Sequence, residues 1–236
     1  MPTQERAAPV EIEAKYAVAD PAVFATLLEL GAVDGYALRP AGERHLVDHY
    51  VDTAQRDLLH GGYSCRLRET QGGERWMVTL KELARAERGV HRRAEHECVI
   101  ARSGPADEWP DGPAREIVAR LSKGQALVEL FVLRQHRVLR ALDRDGRAVG
   151  ELSLDTVEID VDGRRTVTHE VEIELAEDGI LDDLRAIGAG LDAFKLEPQP
   201  ASKFERALVI LDGSRGSAPR KKKSPDLRAD EPLAEA

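Results

Sequence analysis

Residues 10–16 read VEIEAKY and alternate apolar and charged side chains along the chain. A period of two is typical of a β-strand with one buried face and one polar face. The polar face has an order, because two carboxylates, Glu11 and Glu13, precede the ammonium group of Lys15. One such strand is also compatible with an ordinary sheet that has a solvated face. Its meaning therefore depends on whether other strands carry matching charges.

The composition of the 236-residue chain favours a single folded domain with tails. Hydrophobic residues make up 42%, which is enough for a core, while the net charge of −9 argues against a general nucleic-acid or membrane binder. The sequence shows neither a long apolar run nor a signal-peptide pattern, so we expect a cytoplasmic protein. The two cysteines, Cys65 and Cys98, lack the spacing of a zinc site or a disulfide scaffold.

Alternation and turn signals predict an α+β domain, mainly antiparallel β, over residues 9–212. Strands are predicted near residues 9–17, 46–53, 63–70, 74–82, 91–101, 130–143, 148–160 and 165–176. Helices are predicted after Asp20-Pro21 and near 113–122, 179–190 and 201–212. Eight long strands favour closure into an eight-stranded β-barrel with flanking helices, because closure removes unpaired edges. Residues 1–8 are interpreted as an extension, and 213–236, with a basic run at 220–223, as a disordered tail or linker.

Charged faces recur on the other predicted strands. The period of two groups Arg66 with Arg68, Thr79 with Lys81, Arg93 with Glu95 and Glu97, and Glu170 with Glu172 and Glu174. Arginine and lysine suit a polyanion, and clustered carboxylates suit a hard divalent cation such as Mg²⁺ or Mn²⁺. If these faces point into a barrel, both clusters in one cavity indicate a metal–polyphosphate site. In that site Glu11 and Glu13 would hold metal, and Lys15 would reach phosphate.

These motifs resemble the CYTH superfamily, also called the triphosphate tunnel metalloenzymes. The segment VEIEAKY is similar to the family's Glu-x-Glu-x-Lys signature, and the resemblance extends over about residues 9–212. The further matching segments, in family order, are YVDTAQRDLLHGGYSCRLRE, VTLK, GVHRRAEHE, ELFVLRQHRVLRAL, LSLDTVEI, HEVEIEL and EPQPASKFERAL. The resemblance implies an eight-stranded antiparallel tunnel and hydrolysis of a triphosphate with Mg²⁺ or Mn²⁺, by direct attack of water.

The resemblance also implies roles for individual residues. The implied metal ligands are Glu11, Glu13, Glu170 and Glu172, with Asp155 either joining them or positioning water. The implied phosphate-binding residues are Lys15, Arg66, Arg68, Lys81, Arg93, Arg137 and Lys203, with Arg134 competing with Arg137 for one role. Glu95 is expected on the acidic side of the site, where it would orient a base or a water. The implied catalytic set is therefore Glu11, Glu13, Lys15, Glu95 and Asp155.

Three residues near these motifs are expected to be structural. Tyr50 and Asp52 are expected to fix a turn or strand end, and Arg206 to act as an ion-pair partner on the helix face of Lys203. Cys65 and Cys98 fall opposite the charges, so we expect them in a core under a helix.

The motifs leave the substrate open, because inorganic triphosphatases, thiamine triphosphatases and class IV adenylate cyclases share the phosphate machinery. Aromatic residues are only 4% of the chain, which favours a bare triphosphate over a stacked organic group. We therefore expect hydrolysis of inorganic tripolyphosphate to pyrophosphate and phosphate. A non-catalytic polyphosphate-binding module is the alternative of another class. Long-chain polyphosphate is a further candidate ligand, and a C-terminal CHAD domain, common in similar proteins, is a candidate partner or missing domain.

Overall fold

The computed structural model describes residues 10–69, 75–83, 90–101, 104–161, 163–177 and 179–216. Within these ranges ten strands form one mainly antiparallel sheet, and helices flank it. The predicted α+β class is confirmed. The structure has ten strands where eight are predicted, because it adds two strands of only two residues each.

The strands are β1 (Val10–Val18), β2 (Ala32–Val33), β3 (Tyr36–Thr53), β4 (Tyr63–Glu69), β5 (Trp76–Glu82), β6 (Val90–Ile100), β7 (Leu127–Arg144), β8 (Arg147–Val161), β9 (Arg164–Leu175) and β10 (Glu197–Pro198). The helices are α1 (Pro21–Leu28), α2 (Asp57–His60), α3 (Pro113–Ser122), α4 (Leu181–Leu191) and α5 (Lys203–Gly216). Two short 3₁₀ helices cover Ala106–Glu108 and Asp192–Phe194. None of the helices in the described ranges has the length and apolar character needed to cross a membrane.

Strand β1 has a special place in the hydrogen-bonded order, which runs β10-β1-β6-β5-β4-β3-β7-β8-β9. Residues 10–14 of β1 pair with β6, and residues 13–18 pair with β9, the last strand in the order. Strand β1 therefore has β6 as a neighbour over its first part and β9 as a neighbour over its second part. Its charged residues are carried to a position between the basic middle strands and the acidic late strand.

Strand β3 begins ten residues earlier than predicted. The predicted start at 46 follows a segment with Pro40 and Gly42, two residues that usually interrupt strands. The structure keeps this segment paired with β7 by an irregularity in register between Pro40 and Gly42, and Gly42 adopts a φ of 118°. A bulge thus accommodates residues that indicate a loop in the sequence.

Helices cover much of the outer face of the sheet. Cys65, Leu67, Val78 and Leu80 are buried in one cluster with Val118 of α3. A second cluster packs α1 and α4 against β1, β8 and β9. The predicted core position of Cys65 is confirmed, and Cys98 is half-buried against the same cluster. Because these apolar faces point outward to the helices, the alternate, charged side chains point to the inner side.

Helix α5 packs differently, because its apolar side chains meet the inner faces of β7 and β8. Phe204, Ala207, Leu208 and Leu211 share a buried cluster with side chains of those strands. The helix runs to Gly216, past residue 212, and its first residue, Lys203, reaches the charged side chains.

Candidate active site

One cavity collects the charged faces of the strands. It has a volume of about 150 Å³. Six basic and four acidic residues line it, together with three polar and two aromatic residues. These are Lys15, Arg66, Arg68, Lys81, Arg137 and Lys203, then Glu13, Asp48, Glu95 and Glu172, then Ser64, Gln135 and Ser202, then Tyr50 and Phe204. The sequence-predicted residues Glu13, Lys15, Arg66, Arg68, Lys81, Glu95, Arg137, Glu172 and Lys203 are thus brought together.

Glu172 is the centre of the acidic side. Its carboxylate accepts hydrogen bonds from Nζ of Lys15 at 2.7 Å, from Nζ of Lys203 at 2.6 Å and from Arg137. Burial alone would raise the pKa of Glu172, but the three cations outweigh burial and hold that pKa well below its usual range. Glu172 is therefore an anion that three bases neutralise.

Asp155 contacts the same two bases as Glu172, Arg137 and Lys203, and is fully buried. It accepts two hydrogen bonds from Arg137, at 2.8 and 2.6 Å, and its carboxylate lies 3.0 Å from Nζ of Lys203. Burial would lower the pKa of Lys203, yet the carboxylates of Glu170, Glu172 and Asp155 raise it above its usual value. Lys203 consequently remains an ammonium ion despite its buried position.

Two buried carboxylate oxygens have no hydrogen-bond partner among the described residues. They are Oε1 of Glu13 and Oε2 of Glu170. The other oxygens of these groups are paired, Glu13 with Lys15 at 3.0 Å and Glu170 with Arg206. The predicted role of Arg206 as an ion-pair partner is confirmed. Oε2 of Glu170 already has a cation nearby, since Nζ of Lys203 lies 3.6 Å from it. Oε1 of Glu13 is a buried oxygen without a hydrogen bond, which is costly and suits an added cation.

The donor chemistry fits a hard divalent cation, although in the described part of the chain no three His, Cys, Asp or Glu side chains converge into a complete metal site. This is compatible with Mg²⁺, which is commonly held by one or two carboxylates together with water and substrate phosphate oxygens. The candidate ligand that lines the cavity is therefore Glu13, supplemented by oxygens that a substrate brings.

Asp48 organises the basic side and was not predicted. It is buried, and Arg68 donates to both its oxygens, from Nε at 2.5 Å and from Nη2 at 2.7 Å. Arg66 lies 3.7 Å from the same carboxylate and donates to the Thr79 hydroxyl at 3.0 Å. Burial would raise the pKa of Asp48, but Arg66 and Arg68 lower it below its ordinary value. The carboxylate therefore holds both guanidinium groups at the cavity wall.

Glu95 lies among the bases, and its expected position on the acidic side is wrong. Its carboxylate is 3.3 Å from Nζ of Lys81 and 3.9 Å from Arg66. The reason is the strand register, because Glu95 of β6 is the direct partner of Lys81 on β5. Together with Asp48, this carboxylate neutralises bases that would otherwise repel one another.

The sequence of residues 10–207 matches the model of the CYTH domain. The chain belongs to the CYTH domain family. The matched residues include β1 through the first turn of α5, and so contain every residue that lines the cavity. No curated protein matches the chain at a significant level.

Solved structures share the fold of this CYTH domain. One is a candidate adenylyl cyclase from Hippeastrum, described as having a dominant triphosphatase activity, with 19% identity and a TM-score of 0.61 over 86% of this chain and 96% of that one. Another is the PH1819 protein from Pyrococcus horikoshii, with 19% identity and a TM-score of 0.54 over 85% of this chain and 99% of that one. A candidate adenylate cyclase from Bacillus halodurans has 19% identity and a TM-score of 0.53 over 85% and 98%. At these identities the likeness concerns the fold alone.

Arg134 is a predicted site residue that the structure places away from the charged groups of this CYTH domain's cavity. Its side chain is 49% exposed and lies 3.8 Å from Glu158 and 3.9 Å from Asp160. Arg137 lies three positions further along β7, so the two side chains take opposite faces of the strand. Strand parity alone could have separated them.

Glu11 and Arg93 remain predictions, because their side chains lie outside the described residues. Their backbones face each other across the β1–β6 ladder. Glu11 is two residues before Glu13, and Arg93 two before Glu95, so each has the strand parity of a lining residue.

Sequence reasoning placed Tyr50 at a strand end and missed Gln135 and Ser202, yet all three line the cavity of this CYTH domain. Gln135 and Ser202 carry a signal in their spacing, since Gln135 stands two residues before Arg137 and Ser202 one before Lys203. Asp52 behaves as predicted, accepting hydrogen bonds from the N–H groups of Thr53, Leu58 and Leu59.

The start of α5 is fixed by a reciprocal cap. The Glu205 carboxylate accepts from the backbone N–H of Ser202 at 2.7 Å, and the N–H of Glu205 donates to the Ser202 hydroxyl at 3.2 Å. This pattern is a capping box, which fixes where a helix begins. The cap therefore positions Lys203 at the cavity.

Proposed function

We propose that this CYTH domain hydrolyses a triphosphate with Mg²⁺ or Mn²⁺, most readily inorganic tripolyphosphate to pyrophosphate and phosphate. The observation that carries the proposal is the meeting of six bases with four carboxylates in one cavity, where Oε1 of the buried Glu13 accepts no hydrogen bond. We also propose that the eight long strands enclose this cavity as a closed tunnel. The pairing of β1 with both β6 and β9 supports that arrangement.

The basic side suits phosphoryl oxygens. Arg66 and Arg68 present planar guanidinium groups, which suit two-pronged binding of such oxygens, and Lys81 adds an ammonium group on the next strand. Asp48 holds the two arginines while leaving part of each exposed to the cavity, since each side chain is 23% exposed. Substrate would therefore meet donors that are already positioned.

The acidic side suits the metal. Glu13 would hold it with the oxygen that accepts no hydrogen bond, and Glu11 is expected on the same strand face. Glu170, Glu172 and Asp155 are the other carboxylates of the acidic side. When bound, the divalent cation would neutralise charge on the phosphoryl oxygens and favour a suitably placed water. Asp155, whose two oxygens both accept hydrogen bonds from Arg137, would hold that base and Lys203 in place.

A change of partners would accompany binding. In the structure the bases Lys15, Arg137 and Lys203 are held by the carboxylates Glu172 and Asp155. A triphosphate offers oxygens to the bases, while the cation offers positive charge to the carboxylates. Metal and triphosphate entering together would therefore keep every buried charge compensated, which either one alone would not.

Direct attack by water is the proposed chemical step. The two serines of the cavity already donate their hydroxyl protons, Ser202 to the Glu205 carboxylate at 2.7 Å and Ser64 to the Lys81 carbonyl at 3.5 Å. The first contact is part of the α5 cap and the second lies within the β4–β5 pair, so both serve the scaffold. The bases would stabilise the charge that develops on the transferring phosphoryl group.

The preference for a bare triphosphate is supported by the packing of the cavity's aromatic side chains. Tyr50 and Phe204 pack against each other and against Phe131, with ring centroids 5.2 to 5.7 Å apart. Their faces are thus used in the core rather than offered to a nucleobase or a thiamine ring.

A phosphate-release panel tests the proposal. Purified protein would be supplied with tripolyphosphate, thiamine triphosphate, ATP or long-chain polyphosphate, each with Mg²⁺ or Mn²⁺. We expect the highest kcat/KM for tripolyphosphate and loss of turnover in a chelator. Preferred hydrolysis of thiamine triphosphate, or cyclic AMP formed from ATP at a comparable rate, would contradict the substrate assignment. Tight binding without phosphate release would indicate a polyphosphate-binding module instead.

A further inference from the structure

We infer that the cavity is blind at its α5 end, so that it takes a linear phosphate chain by a free terminal phosphoryl group and does not let a chain pass through. This inference rests on the proposed function, because it concerns how the same cavity would select its ligand. It excludes cyclic phosphates and chains whose two ends are blocked.

The inner face of β7 changes character along its length. Gln135 and Arg137 line the cavity, whereas Leu133 and Phe131, which continue the same alternation, are buried in an apolar cluster. Strand β8 repeats the change. Asp155 contacts the charged groups of the site, while Val157 and Ile159 lie in the same apolar cluster as Phe131.

Helix α5 fills the space in front of these apolar residues. Its side chains Phe204, Leu208 and Leu211 are 3%, 8% and 0% exposed and join the cluster. Phe204 and Tyr50 also line the cavity, so they belong to both the cluster and the site. We call the three mutually packed rings of Tyr50, Phe131 and Phe204 the aromatic floor.

The aromatic floor stops an anion by shape and by solvation. The polar group among its three side chains is the Tyr50 hydroxyl, and burial raises the pKa of that phenol, so it stays protonated and can donate one hydrogen bond. A phosphoryl group forced past the rings would leave its counter-charges for an apolar cluster, which is strongly unfavourable.

Lys203 places positive charge immediately before the floor. It precedes Phe204 in the chain, and its ammonium group lies 2.6 Å from Glu172 and 3.0 Å from Asp155. A terminal phosphoryl group, which carries more negative charge than an internal one, would rest against the rings and pair with Lys203. The rest of the chain would extend toward Arg66 and Arg68.

A calorimetric titration tests the inference without turnover. Full-length protein in EDTA would be titrated with linear polyphosphates of short, medium and long average length, and with long chains whose two ends are esterified. We expect no more than two protein molecules per chain at every length, because a chain has two ends. Blocking both ends should weaken binding by at least about tenfold. Stoichiometry that rises in proportion to length, or equal affinity for blocked chains, would overturn the inference.

Two variants locate the binding. Lys203→Ala should weaken binding of free ends by about tenfold or more, whereas chains bound elsewhere on the protein would be unaffected. Phe204→Ala should open the floor and raise affinity for blocked chains by at least about tenfold. Leu208→Ala is the matched control, because it shortens a side chain in the same cluster that does not line the cavity.

The outcomes separate this inference from the proposed function. A folded Phe204→Ala variant that still rejects blocked chains would overturn the floor as the stop, as would unchanged binding in Lys203→Ala. Should Phe204→Ala fail to fold, the stoichiometry of the wild-type protein decides alone. End-limited binding with no release of phosphate from tripolyphosphate would contradict the proposed hydrolysis and leave the inference standing.

Discussion

The Lys15 ammonium group lies 2.7 Å from the Glu172 carboxylate, its direct partner across the β1–β9 ladder. In the proposed reaction these two groups serve different ligands, since Lys15 would bind phosphate and Glu172 lies beside the metal. Without ligands they neutralise each other. Binding of either ligand alone therefore breaks a buried ion pair that the other ligand would compensate.

Metal and tripolyphosphate should consequently bind with strong positive coupling. We expect Mg²⁺ or Mn²⁺ to lower the Kd for tripolyphosphate by about 10- to 100-fold, within the usual range of coupling between two ligands. Calorimetry in both orders of addition measures this under conditions of slow turnover, and the metal affinity must change by the same factor. Independent binding of the two ligands would show that the exchange of partners does not occur.

Glu13→Gln should weaken metal binding at the site and leave the fold intact. The substitution keeps the shape of the side chain but removes charge from a buried carboxylate with an unpaired oxygen. We expect activity to fall by about 10- to 100-fold and to recover in part at high Mn²⁺. Glu158→Gln, on the outer face beside Arg134, is the control and should retain wild-type kinetics. Near-native turnover of Glu13→Gln at low metal would remove Glu13 from the ligand set.

Arg68→Ala should destabilise the protein more than Lys81→Ala. Removing Arg68 takes away both hydrogen bonds that Asp48 accepts from it. It leaves this carboxylate, which is 2% exposed, with Arg66 at 3.7 Å, at a cost of about 3 kcal/mol. Lys81 pairs with the more accessible Glu95, so its loss should cost about 1 kcal/mol or less. Urea unfolding of both variants measures the difference. The double variant Asp48→Ala/Arg68→Ala should regain part of the loss, and equal effects of the two single variants would argue against a structural pair.

The acid sensitivity of the fold should depend on Glu172. Its pKa is depressed in the folded protein, so its contribution to stability is present above the unfolded pKa of about 4.3 and is lost as the pH falls toward the folded value. Asp48 acts with the same sign. The melting temperature of wild type should therefore fall more steeply below about pH 4.3 than that of Glu172→Gln. Parallel curves of melting temperature against pH for the two proteins would show that the ionisation of Glu172 does not contribute to the acid sensitivity of the fold.

Asp52→Ala should affect stability rather than chemistry. Asp52 accepts three backbone N–H groups at the start of α2 and is 1% exposed. Leaving these donors unpaired should cost about 3 kcal/mol, measured by denaturant unfolding. Asp52→Asn, which keeps one acceptor oxygen, should lose less, and KM for tripolyphosphate should stay within about twofold of wild type in both. A selective loss of kcat without a change in stability would instead make Asp52 a participant in the reaction.

Strand parity allowed much of the site to be predicted. Because a strand sends alternate side chains to opposite faces, Arg66 and Arg68 could be assigned to one face and Cys65 and Leu67 to the other before the pairing of strands was known. The structure places the first two at the cavity and the last two in the core. The same rule, applied to Arg134, would have removed it from the set.

Partners across strands could not be predicted in this way. Glu95 meets Lys81, and Arg68 meets Asp48, because of the registers of β5 with β6 and of β3 with β4. Register depends on turns, bulges and packing along the whole ladder, and a one-residue shift reverses every side chain. The floor is a second case. Its rings come from β3, β7 and α5, so no local pattern shows that they meet.

The pairing of β1 with β9 also governs when the site can exist during synthesis. Lys15 and Glu172 are 157 positions apart, so the first strand emerges from the ribosome long before its partner does. Until β9 and the start of α5 are made, the carboxylates and bases of the site remain in water. Assembly of the cavity is thus a late event with a long loop to close, and contacts of such separation make folding slow. A chain truncated before β9 should therefore bind no tripolyphosphate, because its first strand lacks the partner that completes the charges.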